Sequence, residues 1–478
     1  MRDVILAVVI LLFGASAALV IAEPWRPPAP AIPSVRVAGK DIATGSARPA
    51  ALVELVREKL RSFVALRGPG FSSKATWADL GAEADLPALG SVLVELGRKG
   101  SAGARYNRDD APYPGGAAVP LPVSLSTDAA VEALVAVKET IDRQPESARF
   151  DIASQTITDA MEGRSLDVYA SLDRLDEALR SGASDVELAV DTVKAAVNRS
   201  DLQDIDVSTI VGFFETPHSR MAKDKERTHN LKLGASMLDG HVILPGQVFS
   251  VNGALGDRTE ARGFRYAPVI AGGVLVEGMG GGTCQIASTL NGAAFFAGLV
   301  TMERRPHSRP SSYIKLGLDA TVVYPDVDLK LKNPFDFPLV IHYTVENGTV
   351  RAEFRGRERP YTVTFLRKIM STFPFAVHTV DDPRLPRGKE VSTQNGIPGF
   401  LVRRNQIIER NKIAYRHQTL DKYPPTSQVI HRGTGEGLAS KKPGEDAPKP
   451  DPHPPYEAST YLRMVQGAQG LWYESSHE

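Results

Sequence analysis

The spacing of hydrophobic and polar positions changes several times along the 478-residue chain. Residues 4–22 form an unbroken apolar run without charge, close to the roughly 20 residues that span a bilayer core. A Pro-rich stretch follows as far as residue 35. We therefore predict an N-terminal membrane anchor at residues 4–22 and a linker to residue 35. A cleaved signal peptide is the alternative, and in both cases the rest of the chain is exported.

Between residues 36 and 205 the pattern repeats. ATWADLGAEADLPALGSVLVELGRKGS is followed later by ITDAMEGRSLDVYASLDRLDEALRSGAS. The positions that align between the copies are Gly81 with Gly163, Asp85 with Asp167, and Gly100 with Gly182. In each copy the Asp is placed to cap a helix and the closing Gly to end it. With the alternating segments between them, the pattern predicts two α+β units.

From residue 210 to 358 helical and strand patterns mix. RTHN opens a helix with Leu231, Ala235 and Leu238 on one face, and HVIL-PG-QVFSVN predicts a hairpin. Residues 360–436 alternate in short stretches with Gly and Pro turns, which predicts a small all-β domain. Residues 437–478 are predicted to be a Pro-rich disordered tail, with its last part loose or a short amphipathic helix. The fold class is α+β multidomain.

Composition narrows the function. The 56 Lys and Arg balance 56 Asp and Glu, so nucleic acid is not expected as the main partner. Cys284 is the single cysteine of the sequence, so an internal disulfide and a zinc site built from several thiolates are excluded. His229, His241 and His342 lack the spacing of a metal-binding motif, and no Gly-Lys-Ser/Thr follows the triple glycine. We expect no metal and no cofactor. The oligomeric state is not predicted.

The segment VLVEGMGGGTCQIASTLNGAAFFAGL places Cys284 in a distinctive position. A strand at Val274–Val276 leads into glycines that turn the backbone, and a helix begins near Thr283. The dipole and free N–H groups at a helix start favour the thiolate. The alternative is that Cys284 is a small buried hydrophobe.

A thiolate needs a base and an orienting group for acyl transfer. His307 and Asp319 follow Cys284 in this order, with His expected on one strand and Asp opening the next, as in transglutaminase-like and papain-like enzymes. The alternatives are a surface-turn role for His307 and a strand-edge or capping role for Asp319. The candidate oxyanion donors are Gly281, Gly282, Thr283 and Gln285.

The stretch from about 213 to 356 resembles the VanW domain. RTHNLKLGASMLDGHVILPGQVFSVNGALGDRTEARGFRYAPVIAGG, EGMGGGTCQIASTLNGAAFFAGL, ERRPHSRPSSYIKLGLDATVVY and LKLKNPFDFPLVIHY carry the resemblance. Arg227 and Asn230, in the first of these pieces, are candidates for substrate binding. The upstream repeat resembles the peptidoglycan-binding domain found before VanW domains. The segment from 362 to 435, with LPRGKEVSTQNGIPGF and VIHRGTG, resembles the G-five domain.

The resemblance implies an envelope protein in contact with peptidoglycan or a related wall polymer. It does not imply that the protein confers antibiotic resistance. Two hypotheses follow. In the first, the protein binds peptidoglycan and the VanW domain is a noncatalytic module. In the second, the protein is a cysteine amidase or transpeptidase acting on peptidoglycan peptides. Cys284 then attacks, His307 transfers the proton, and Asp319 orients the imidazole.

Overall fold

The structure is a computed structural model that describes residues 34–37, 40–43, 48–88, 118–119, 121–271, 274–435, 448–450, 458–467 and 470–476. The predicted anchor at residues 4–22, Gly100 and most of the Pro-rich stretch at 441–455 lie outside the described residues. Within these ranges no helix has the length and apolar character needed to cross a membrane.

The helices are α1 (Arg48–Arg61), α2 (Thr127–Ile141), α3 (Val168–Ser181), α4 (Lys225–Leu238), α5 (Val251–Leu255) and α6 (Thr283–Ala297). The strands up to residue 217 are β1 (Ser34–Val37), β2 (Lys40–Ala43), β3 (Phe63–Gly68), β4 (Phe71–Thr76), β5 (Ala82–Ala84), β6 (Ala118–Val119), β7 (Val123–Leu125), β8 (Arg149–Asp151), β9 (Thr156–Thr158), β10 (Gly163–Leu166), β11 (Asp185–Glu187), β12 (Val190–Val193) and β13 (Thr209–Pro217).

The strands after residue 217 are β14 (Val242–Ile243), β15 (Val248–Ser250), β16 (Tyr266–Ala271), β17 (Val274–Met279), β18 (Val300–Glu303), β19 (Lys330–Lys332), β20 (Leu339–Glu346), β21 (Thr349–Gly356), β22 (Thr362–Phe373), β23 (Val377–Pro386), β24 (Glu390–Gln394), β25 (Gly399–Arg410), β26 (Ile413–Tyr423), β27 (Gln428–Gly435), β28 (Tyr461–Gly467) and β29 (Gly470–Ser476).

The chain forms two compact units. The first runs to residue 146 and resumes at 162–195, and the second comprises 147–161 and the described residues from 196 onward. The first unit is therefore shorter than the predicted repeat region of 36–205, because the β8–β9 hairpin belongs to the second unit.

The first unit is built from small sheets and helices around one core. The sheets have the strand orders β2-β1-β6, β11-β3-β4, β10-β12 and β5-β7. Trp77, Leu134 and Leu175 are buried in the core. Asp167 accepts a hydrogen bond from the Ala170 N–H at the start of α3, and Asp85 accepts one from Ala88 in the same way. The predicted capping aspartates of the two repeats are thus present.

The second unit places a largely buried helix between sheets. The sheet β13-β21-β20-β14 packs against α6, whose residues Ile286, Leu290 and Ala293 are buried as predicted. Smaller sheets β15-β19-β18 and β16-β17 lie in the same unit. An apolar helix with almost no exposed face is typical of a core helix, so α6 gives its first turn a rigid support.

Residues 362–435 form the predicted all-β region. Its strands β26, β25 and β22 are joined by β28 and β29 of the tail in one sheet, and a second sheet has the order β23-β27-β24. The sequence pattern predicts a boundary between this region and residues 210–358, but both belong to one compact unit. The aromatic ring of Phe295 on α6 meets that of Phe365 on β22 edge to face at 5.4 Å. The two regions therefore share a hydrophobic core.

Three predictions of local structure are wrong. The segment HVIL-PG-QVFSVN is not a hairpin, because β14 pairs with β20 while β15 pairs with β19 in another sheet. Asp319 does not open a strand, since only isolated bridges involve the segment after it. The tail is not wholly disordered, because β28 and β29 pair with each other and β28 pairs with β22. In the first and third cases the structure is decided by pairing to a distant strand, which local composition does not report.

Candidate functional site

A glycine turn between β17 and α6 positions the single cysteine. A Cβ atom on Gly281 would lie 2.4 Å from the Ala267 carbonyl oxygen, and Gly282 has φ of +118°. Both positions therefore require glycine. Cys284 follows in the first turn of α6 and is half-buried, with its Sγ 3.5 Å from the Val322 carbonyl oxygen. The sequence-based expectation of a helix starting at Thr283 is confirmed.

The structure brings Cys284, His307 and Asp319 together. The Nδ1 atom of His307 lies 2.8 Å from Oδ2 of Asp319, and both side chains are buried. The thiol of Cys284 and the imidazole of His307 lie close enough to shift each other's pKa. His307 and Asp319 lie in loops after β18 and not on the neighbouring strands expected of a transglutaminase-like or papain-like arrangement. The three side chains thus follow the order of a nucleophile, a base and an orienting carboxylate.

The charges of the three groups favour an ion pair. Burial opposes the thiolate, but hydrogen bonding to His307 and the charge of that ring outweigh it and lower the pKa of Cys284. Burial likewise opposes the imidazolium, but Tyr313, Asp319 and Cys284 hold the pKa of His307 well above its ordinary value. The pKa of Asp319 is lowered despite burial, through His307 and Arg304. A thiolate beside an imidazolium is the reactive form of a catalytic cysteine.

Three further side chains, which the sequence pattern does not indicate, surround Cys284, His307 and Asp319. The Tyr313 hydroxyl lies 3.3 Å from Nε2 of His307, on the side that faces the cysteine. The Arg304 guanidinium lies 3.3 Å from Oδ1 of Asp319, and the Tyr423 hydroxyl donates to the same oxygen at 2.5 Å. These positions share no recognisable spacing in the sequence. The only sequence signal for Arg304 is the cluster of arginines next to His307.

Of the predicted oxyanion donors Gly281, Gly282, Thr283 and Gln285, Gly281 does not line the cleft, and its carbonyl accepts from the Asn230 amide. The Thr283 N–H donates to Gly280 and the Gln285 N–H to Gly282. The side-chain amide of Gln285 donates to the Thr216 hydroxyl and the Pro217 carbonyl. Thr283 and Gln285 therefore do not fit the predicted oxyanion role. In the described part of the chain, the N–H groups of Gly282 and Cys284 have no hydrogen-bond acceptor, and both residues line the cleft.

The two predicted substrate-binding residues differ in position. Asn230 is fully buried, and its amide bonds to Arg265 and Gly281, which fits a role in holding the glycine turn. Arg227 lies at the cleft, donates to Oε1 of Gln285 at 2.9 Å and stacks over the Tyr313 ring at 5.8 Å. Arg227 has no acidic partner within hydrogen-bonding distance among the described residues. Of the two, only Arg227 is placed to meet a substrate.

A cleft of about 1330 Å³ opens at the triad. Its lining includes Arg227, Arg258, Cys284, His307, Tyr313 and Thr321. The Thr321 Oγ1 and His218 Nε2 atoms are buried in its wall and have no hydrogen-bond partner among the described residues. Buried polar atoms normally have partners, so these two are available to a bound molecule.

The histidines considered for metal binding have separate partners. His229 bonds to the Gly263 carbonyl, His241 to the Leu238 carbonyl and His342 to Asp239. The described residues contain no group of three or more potential metal ligands from His, Cys, Asp and Glu.

Comparison with known proteins agrees with the position of the cleft. Residues 226–355 match the family model described as "VanW like protein". The "Uncharacterized protein YoaR" of Bacillus subtilis (strain 168) is 41% identical over 129 residues, which cover 27% of this chain and 43% of that protein. The "Vancomycin B-type resistance protein VanW" of Enterococcus faecalis (strain ATCC 700802 / V583) is 27% identical over 145 residues, 29% of this chain and 53% of that protein. Residues 226–355 are thus similar to the VanW family.

The chain spans about half the length of the curated relatives it matches. Residues 74–187 match the model "Putative peptidoglycan binding domain", and residues 367–435 match "G5 domain". A solved structure titled "IgA1 Protease G5 domain structure" has 19% identity and a TM-score of 0.12, and the match covers 16% of this chain and 92% of that one. The domains flanking the VanW domain support a cell-wall-associated protein.

Proposed function

We propose that the VanW domain is a cysteine acyl-transfer module that acts on an amide bond in peptidoglycan peptides. The observation that carries the proposal is the placement of Cys284 and His307 together at the wall of a cleft, with His307 hydrogen-bonded to Asp319 behind them. The thiol pKa is lowered and the imidazole pKa is raised, and such shifts in a cleft are typical of functional sites. The family matches point to the cell wall as the place of action.

The reaction begins from the thiolate of Cys284. Its sulfur bonds to the amide carbonyl carbon, and the Nε2–H of His307 donates its proton to the leaving nitrogen as the C–N bond breaks. The resulting thioester is attacked by a second amine or by water. The attacking group gives its proton to Nε2, the C–S bond breaks, and the thiolate–imidazolium pair returns. Asp319 holds the imidazole in the tautomer that this transfer needs.

The cleft supplies the polar groups that this reaction requires. The N–H groups of Gly282 and Cys284 lie at the start of α6 and stabilise negative charge on the carbonyl oxygen. The Arg258 charge adds to this field and contributes to lowering the pKa of Cys284. Arg227 binds a carboxylate of the peptide, since a guanidinium pairs with planar anions through two N–H groups.

The first unit is proposed to bind the glycan or peptide of the wall. The match of residues 74–187 to a peptidoglycan-binding model supports this role. In the same proposal, residues 4–22 anchor or export the chain, so that its bulk faces the wall. Co-sedimentation of the full chain with purified sacculi tests the binding. Retention that soluble peptidoglycan fragments compete away is expected, and no retention would contradict it.

Acyl transfer is tested by intact-mass spectrometry of the full chain with synthetic stem peptides. We expect a thioester adduct on Cys284 and release of an amine, both absent in Cys284→Ala. Because the chain has one cysteine, alkylation by iodoacetamide reports on Cys284 alone. We expect reaction well below the ordinary thiol pKa of about 8.5. A thiol that stays protected until the protein unfolds would favour the noncatalytic, wall-binding role.

A further inference from the structure

The two carboxylate oxygens of Asp319 accept hydrogen bonds from different parts of the second unit. Its Oδ2 serves His307, while its Oδ1 accepts the Tyr423 hydroxyl at 2.5 Å. Tyr423 ends strand β26 of the all-β region and is fully buried. Burial raises the pKa of the Tyr423 phenol, so the hydroxyl keeps its proton and remains a donor at physiological pH.

A second contact from the same strand reaches this loop. The Asp421 carboxylate accepts from Nη1 of Arg304 at 2.9 Å, and Nε of Arg304 donates to the Asp319 carbonyl at 2.6 Å. Asp421 and Tyr423 are two residues apart on β26, so they lie on one face of the strand. That face carries both side chains toward the segment that ends in Asp319.

The backbone just before Asp319 is held in the same way. The Gly317 N–H donates to the Tyr423 hydroxyl at 2.9 Å, and Arg404 on β25 donates to the Gly317 carbonyl at 3.1 Å. The Tyr423 hydroxyl therefore accepts from one end of this short segment and donates to the other. Losing it frees the Asp319 carboxylate to rotate away from His307.

We infer that strand β26 is part of the proposed catalytic site, with Tyr423 and Asp421 as positioning residues for Asp319. This inference rests on the proposed acyl transfer. It also means that residues 226–355, which match the VanW model, are not a complete catalytic unit, since both positioning residues follow residue 355.

The test compares the full chain with Tyr423→Phe and Asp421→Asn. The Tyr415→Phe variant is the control, because Tyr415 lies on the same strand and is 67% exposed. The readout is the alkylation rate of Cys284 against pH. A hydrogen bond to a charged group is worth about a tenfold change in an equilibrium constant. We therefore expect the midpoint to rise by about one pH unit in Tyr423→Phe and the rate at pH 6 to fall about tenfold.

Each outcome has a distinct meaning. Asp421→Asn is expected to shift the midpoint in the same direction and Tyr415→Phe to leave it unchanged. A wild-type profile in both Tyr423→Phe and Asp421→Asn overturns the inference alone. A wild-type thiol that reacts only near pH 8.5 overturns the proposed function and the inference together. Circular dichroism verifies folding, and if Tyr423→Phe does not fold, Asp421→Asn decides the inference.

Discussion

The Oδ2 atom of Asp319 accepts two hydrogen bonds from His307, one from its backbone N–H at 2.7 Å and one from Nδ1 at 2.8 Å. This arrangement fixes both the position of the residue and the tautomer of its ring. With Nδ1 protonated, Nε2 is directed to the thiol of Cys284 and the hydroxyl of Tyr313.

Asp319→Asn is expected to abolish most of the acyl transfer. An amide N–H₂ facing Nδ1 selects the other tautomer, and the ring then has no free Nε2 for the thiol proton. We expect turnover to fall about 10³-fold and the alkylation midpoint of Cys284 to move toward about 8.5. Stopped-flow alkylation and peptide turnover measure both. Asp326→Asn, at an exposed position, should behave as wild type, and an unchanged midpoint in Asp319→Asn would rule out the orienting role.

Arg304→Met is expected to lower the free energy of unfolding by about 3–5 kcal/mol. The Arg304 side chain is 3% exposed and pairs with the carboxylates of Asp319 and Asp421, so its removal leaves buried charges without a partner. Urea unfolding at pH 7 measures the change. The exposed neighbour Arg305 provides the control, and Arg305→Met should shift stability by less than about 0.5 kcal/mol. Equal effects of the two substitutions would contradict the prediction.

Because of His241, we expect the free energy of unfolding to decrease in mild acid. Burial lowers the pKa of His241 from 6.5 to about 4, so between these pH values the unfolded chain binds a proton that the folded chain excludes. Stability falls as pH drops through this window, by up to about 3 kcal/mol, and His241 has no such effect above pH 6.5.

His241→Gln removes this titration and is expected to flatten the stability curve between pH 6.5 and 4. Urea unfolding at pH 7 and pH 4.5 tests it. The exposed His378 on β23 provides the control, and His378→Gln should keep the wild-type dependence. If the stability of His241→Gln also shows the wild-type pH dependence, another group causes the acid sensitivity.

Gly281→Ala is expected to displace the start of α6. The added Cβ would meet the Ala267 carbonyl oxygen at 2.4 Å, and backbone atoms on both sides must move. We expect a loss of about 1–3 kcal/mol, as for other overpacked positions, together with slower alkylation of Cys284. Gly246→Ala is the control, because Gly246 has φ of +75° but open space around it. Gly246→Ala should cost about 1–2 kcal/mol and leave the alkylation of Cys284 unchanged.

The features that could be predicted from the sequence are those set by neighbouring residues in the chain. The helix starting at Thr283 was predictable because a glycine turn and an apolar run specify it, and the capping aspartates were predictable for a similar reason. The choice of Cys284, His307 and Asp319 followed from residue chemistry and order, and the structure brings these residues together. Their catalytic role stays a prediction.

The features that could not be predicted depend on contacts between segments that are far apart in the chain. Arg304, Asp421 and Tyr423 meet only because β26 packs against the segment before Asp319, and no periodicity reports that contact. The strands β28 and β29 were hidden for the same reason. The partner of β28, strand β22, lies far earlier in the chain, β29 pairs only with β28 among the described strands, and Pro-rich sequence precedes both strands.

The pairing of β28 with β22 places the last strands of the sheet beside its first strand. Contacts of such long sequence separation form late in folding, after the closure of a long loop. The sheet that carries Tyr423 is therefore completed only once β28 has paired with β22 and β29 with β28. The hydrogen bonds that Tyr423 makes with Asp319 and Gly317 therefore belong to a sheet whose completion depends on residues 461–476.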